Sequence, residues 1–134
     1  MRYNGIIENK LRIIEEKLND IRSWDVRSYD QFIRNSMLIS AVERALQVAI
    51  EVMIDISERI LALEEVTPLD SAAGNIEKLQ EMKIIRPLPE YANMVKFRNY
   101  IVHRYEKINP EIVYSIVQYK LPLFESFIED IRKT

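Results

Sequence analysis

The sequence predicts an all-α protein: an up-and-down bundle of four to five helices with one very long second helix, assembled as a homodimer. Three observations carry that prediction. Apolar residues recur at spacings of three and four, and no strand-like period of two persists anywhere. The 134 residues include only two glycines and five prolines, so breaks are few and elements long. The stretch from Tyr29 to Thr67 holds neither glycine nor proline and is apolar around more than one side. Such a helix lies at the centre of a bundle or turns one side to another subunit.

Each element follows in order. Ile7, Leu11, Ile14, Leu18 and Ile21 form one apolar stripe, which sets a first helix from about Tyr3 to Ser23. Ser28 or Asp30 is placed to cap the long second helix, whose main stripe is Leu38, Ala41, Ala45, Val48 and Val52. "TPLDSAAGN" ends it, and a shorter helix is expected from about Asp70 to Ile84. "IIRPLPEY" is a connector, because Pro87 and Pro89 exclude helix at and just before themselves. A fourth helix is expected from Glu90 to about Glu106. Asn109 and Pro110 then open a final helix reaching about Lys133, with a kink at Pro122. A chain of this length is expected to form one helical domain spanning residues 1–134.

Composition excludes several classes of function. No cysteine is present, which removes disulfides, thiolate nucleophiles and thiolate metal ligands together. One histidine argues against an imidazole metal site, so neither metal nor cofactor is expected. No long apolar run or uninterrupted signal segment occurs, which predicts a cytoplasmic protein without membrane contact. The net charge of −2 argues against a general nucleic-acid coat. The charge is uneven, however. Between Lys83 and Lys107 stand Lys83, Arg86, Lys96, Arg98, Arg104 and Lys107, against Glu90 and Glu106 alone.

Within that basic segment, "RNYIVHRY" (Arg98 to Tyr105) contains the one histidine, His103. On an ideal helix Arg98 and His103 are about 140° apart, whereas Asn99 shares a face with His103 and Arg98 shares another with Tyr105. The group therefore does not fall on one stripe, and a site built from it needs long side-chain reach, a helix end or a second chain. Spacing alone leaves an ordinary structural reading open. A lone histidine in a bundle is most often a core or capping residue. On that reading Tyr100, Ile101 and Val102 belong to the core, and Arg104 and Lys107 complement a helix C-terminus.

The segment "FRNYIVHRYEKI" resembles the Arg-x4-His-x-Tyr signature of HEPN-domain proteins, specifically the HepT-like toxins. Arg98, His103 and Tyr105 occupy its named positions, and Asn99 the polar position after the arginine. "ERALQVAIEVMIDIS" (Glu43 to Ser57) resembles the second helix of the same group, so nearly the whole chain is covered. The resemblance implies a metal-independent endoribonuclease, the toxin of a type VII toxin–antitoxin pair, with both protomers' motifs meeting at the dimer interface. It implies catalysis by Arg98 and His103 with support from Asn99. It also implies silencing by transfer of AMP onto Tyr105 from a cognate minimal nucleotidyltransferase antitoxin (MntA-like).

The chemistry of the residue types agrees with this. Metal-free cleavage of RNA needs a base for the 2′-hydroxyl, an acid for the departing 5′-oxygen and cationic donors for the phosphate. Imidazole, with an ordinary pKa near 6.5, serves as either acid or base. One histidine does not readily do both in one step, and a two-fold dimer supplies two, with two arginine forks for the phosphate. Lys96, Arg104 and Lys107 are candidate contacts to the RNA backbone. AMP on Tyr105 would set a bulky anion where the RNA phosphate must lie. The competing readings are a non-catalytic nucleotide-binding subunit of a minimal nucleotidyltransferase and a purely structural bundle.

Overall fold

The computed structural model describes Tyr3, residues 5–103 and residues 108–134. Seven helices run through these residues: α1 (Gly5–Ser23), α2 (Tyr29–Ile33), α3 (Ser36–Leu63), α4 (Ala72–Glu81), α5 (Glu90–His103), α6 (Pro110–Tyr119) and α7 (Leu121–Arg132). No strand occurs among the described residues. The predicted stripe of α1 is fully buried, packed along α3 as its principal neighbour. On α3, Val42, Leu46, Ala49, Ile50, Met53 and Ile60 are sealed from solvent, which makes it the central element. The inner faces of α5 and α7 complete one continuous core around Tyr91, Phe124 and Phe127. Burying an aliphatic or aromatic side chain of this size stabilises the fold by roughly 1.5–3 kcal/mol.

Seven helices replace the expected four to five because two long spans are divided. The first division falls at Arg34 and Asn35. Ser28 caps α2 by accepting a hydrogen bond from the Gln31 backbone, as its position predicts. Asn35 then caps α3 by accepting from Leu38 N at 3.0 Å. An asparagine side chain closes a first helical turn as well as a backbone carbonyl does, so it restarts the helix without glycine or proline. The long helix is therefore α3, with 28 residues. The second division falls at Lys120. Pro122 lacks the N–H that would bond back to residue 118, and its ring would crowd that carbonyl. The expected kink is thus a complete break between α6 and α7. Asn109 caps α6 as predicted, accepting from Glu111 N at 2.9 Å.

The connector between α4 and α5 is held by charge. Arg86 donates through its backbone N and Nε to Asp130 (2.9 and 3.1 Å), through Nη1 to Ser126 (3.1 Å) and through Nη2 to Glu129 (2.9 Å). Gln80 Nε2 donates to the carbonyls of Arg86 and Leu88. Three non-glycine residues just past helix ends have left-handed backbone: Asp25 (φ 57°), Glu65 (φ 60°) and Lys83 (φ 60°). Such a helix end more commonly carries glycine.

Candidate nuclease site on helix α5

Helix α5 stays helical through His103, so Arg98 and His103 keep the 140° separation of a regular helix. The two residues differ in environment as well. Lys96, Asn99 and His103 follow one another at spacings of three and four and are all exposed, forming a polar stripe open to solvent. Arg98 is half-buried beside the inner face that carries Tyr91, Met94 and Val95. Its Nε is buried and has no hydrogen-bond partner among the described residues. A buried donor left unsatisfied costs about 1–3 kcal/mol, and more when the group is charged. Native structures keep few such atoms. Here the unsatisfied atom lies at the arginine of the motif.

The basic segment divides once seen in three dimensions. Arg86 is committed to Asp130 and Glu129 and is a structural cation. Lys96 is exposed and without an ion pair among the described residues. Arg104, Tyr105 and Lys107 lie outside the described residues. Tyr100 and Val102, core positions on the structural reading, are 47% and 45% exposed, and Ile101 alone of the three packs against the core. The alternation of their neighbours hid this, because two of the three apolar side chains flank the open stripe.

A cavity of about 180 Å³ lies directly against α5, between Met94 and Phe97 on that helix, Ile50 on α3, Ile112 and Ile116 on α6, and Phe124 on α7. Its lining is mainly apolar, with Glu90, Asn93 and Lys120 also bordering it. Larger clefts lie elsewhere among the described residues. One of about 730 Å³ borders the Ile84–Pro87 connector, and one of about 680 Å³ runs between α1 and α7. Neither is lined by His103 or Arg98. Lys96, Asn99 and His103 thus lie on an exposed helix face, with Arg98 half-buried beside them. Among the described residues no group of three or more histidine, aspartate or glutamate side chains is arranged to hold a metal ion, and no helix is long and apolar enough to cross a membrane.

Comparison with known proteins gives a consistent picture. The family described as "Ribonuclease HepT-like" matches residues 7–131. The chain is 31% identical over 131 residues to the mRNA nuclease HepT of Shewanella oneidensis, covering 96% of this chain and 98% of that protein. It is 27% identical over 133 residues to the tRNA nuclease HepT of Aphanizomenon flos-aquae, covering 94% and 87%. Among solved structures, a tri-AMPylated Shewanella oneidensis HEPN toxin in complex with its MNT antitoxin superimposes with a TM-score of 0.86 at 30% identity. That alignment covers 98% of this chain and all of that one. A toxin–antitoxin complex with AMP-PNP gives 0.88 at 30% identity, again over 98% of this chain and all of that one.

Proposed function

Because the chain belongs to the HepT-like ribonuclease family, we propose that it is the RNA endonuclease toxin of a toxin–antitoxin pair, acting in the cytoplasm on RNA and held in check by a minimal nucleotidyltransferase antitoxin. The observation that carries this reading is helix α5, which exposes His103 and Asn99 on one stripe while leaving Arg98 Nε without a partner among the described residues. An arginine meant for structure is paired, as Arg86 is. An arginine meant for a phosphate waits unpaired.

His103 acts as the proton-transfer group. It takes the 2′-hydroxyl proton as the 2′-oxygen attacks the adjacent phosphorus, or returns a proton to the departing 5′-oxygen. The products are a 2′,3′-cyclic phosphate and a 5′-hydroxyl end. Arg98 donates to the phosphate oxygens, whose negative charge becomes more concentrated in the transition state. Asn99, one residue from Arg98 and on the stripe of His103, orients the phosphate or the ribose. The 140° between Arg98 and His103 on one helix is bridged in a homodimer by pairing the arginine of one protomer with the histidine of its partner around a two-fold axis. No step in this scheme needs a metal ion. Tyr105 follows His103 by two positions in the sequence, and an AMP group on its oxygen would add an anion that competes with the substrate phosphate for the arginine. Transfer of that group by the antitoxin silences the enzyme.

Cleavage of RNA in EDTA by the chain expressed without a partner, beside His103→Ala, tests the reading, with intact mass recorded for both. Wild type is expected to cleave and His103→Ala to lose 10²- to 10⁴-fold in rate. An inactive wild type whose mass shows no added AMP would overturn the toxin assignment in favour of a nucleotide-binding subunit.

A further inference from the structure

The described arginines fall into two groups. Arg12, Arg22, Arg27, Arg59, Arg86 and Arg132 each pair with a carboxylate. Arg34, Arg44 and Arg98 pair with none among the described residues. Arg34 and Arg44 lie toward the end of the bundle that His103 approaches. Ile50 on α3 and Phe97 on α5 line the same cavity. The start of α3 follows α2, whose Phe32 packs against Tyr114 of α6, and α6 follows closely on the end of α5. Helices α3 and α5 therefore run antiparallel. From the shared cavity, Arg44 lies six residues back along α3 and His103 six residues forward along α5, each about 9 Å toward the same end of the bundle. Arg34 is the corner residue between α2 and α3 at that end, and both Arg34 and Arg44 are exposed.

Carboxylates are few along the start of α3, although Asp30 stands four positions before Arg34 on α2. From Arg34 to Arg44 the only carboxylate is Glu43, which is already engaged in an interaction. No acidic residue occupies the first turn of α3, so the positive end of its dipole is not neutralised there. Guanidinium forks are suited to phosphate oxygens. Resting on the ribonuclease reading, we propose that Arg34 and Arg44 form an RNA-backbone track outside the motif helix, which continues the line of Lys96 across the start of α3 and holds single-stranded RNA phosphates flanking the cleavage site. The contacts are to phosphate and carry no base preference.

The experiment measures binding of a fluorescent mixed-sequence single-stranded RNA to the His103→Ala chain across a salt series, beside the same chain carrying Arg34→Gln and Arg44→Gln. A control carries Arg59→Gln, an arginine paired with Asp55. Each lost phosphate contact lowers the slope of log affinity against log salt by about 0.7 for a single strand. The double variant is expected to lose about 1.4 of slope and on the order of tenfold in affinity at moderate salt, whatever the RNA sequence, while the control matches the parent. Unchanged slope and affinity in the double variant, with wild type still cleaving RNA, would overturn this inference alone. A double variant whose sedimentation shows a lost dimer would overturn it too, by assigning the two arginines to the subunit interface. Absence of RNA binding by the parent together with absence of cleavage by wild type would remove the ribonuclease reading and this inference with it.

Discussion

The two ends of the charge map differ in how they use arginine. Along the α1–α7 seam, Arg132 donates from Nε and Nη2 to Glu8 (3.2 and 2.7 Å) and from Nη1 and Nη2 to Glu15 (2.9 and 2.8 Å). Nearby Arg22 reaches across to Glu125. Where α3 begins and α5 ends, Arg34, Arg44 and Arg98 have no carboxylate partner among the described residues. The same residue type, in a chain with more acids than bases, is neutralised in one region and left available in the other. Paired guanidinium groups such as those of Arg22 and Arg132 join helices. Unpaired ones retain the hydrogen-bonding capacity that an anionic ligand requires, at some cost to the folded state. Net charge conceals this division, because it counts both kinds alike.

The largest change on the structural side is expected at Arg86. Replacing it with alanine strands Asp130, whose side chain is only 11% exposed, and frees the connector. Breaking one side of a partly buried network of this kind costs about 2–4 kcal/mol, read as a lower urea midpoint. The specific cleavage rate of the folded fraction should stay near that of wild type. A rate that falls with the midpoint would blur the division between structural and functional arginines.

Arg132→Gln is expected to cost less, about 1 kcal/mol at neutral pH, since the seam is partly solvated and screened. The effect has a definite pH dependence. Hydrogen bonds from Arg132 hold the Glu8 and Glu15 carboxyls below the ordinary range. Groups depressed in the folded state add stability above their unfolded pKa, and that stability is lost as pH falls through the folded values. Wild type and Arg132→Gln should therefore differ most near pH 7 and begin to converge as pH falls below about 4, the ordinary carboxylate range. Denaturation curves that stay parallel down to pH 3 would show that the seam stabilises by packing rather than charge.

The smallest stability effect is expected at Arg98. Arg98→Met removes an unsatisfied buried Nε while preserving the aliphatic stem, so the midpoint should hold within about 0.5 kcal/mol or rise. Cleavage should nevertheless be lost. A clear destabilisation would mean that Arg98 carries structural weight after all, and would place it with Arg86.

Much of this was legible in the sequence, for identifiable reasons. The α1 stripe and the caps at Ser28 and Asn109 rest on local rules that tertiary contacts did not disturb. The corner at Asn35 went unread because an apolar period ran through it while its stop signal was a single side-chain amide. Arg98 and His103 could be placed on one helix 140° apart from spacing alone. That Tyr100 and Val102 face solvent could not, since each is apolar and only the packing of α5 against α3 and α4 decides which side is turned inward. Arg86 looked like one more cation of a basic run, because its partners Glu129 and Asp130 stand more than forty positions away.

The left-handed positions at Asp25, Glu65 and Lys83 have a consequence for engineering. In a protein with so few glycines, three helices terminate in a backbone conformation that costs an ordinary residue about 1 kcal/mol. Glycine at any of the three relieves that strain, partly offset by its greater freedom in the unfolded chain. None of the three lies on helix α5. They are places where a thermal margin could be added piecemeal without substituting the residues assigned to chemistry, which is useful for any laboratory seeking a hardier form of this protein.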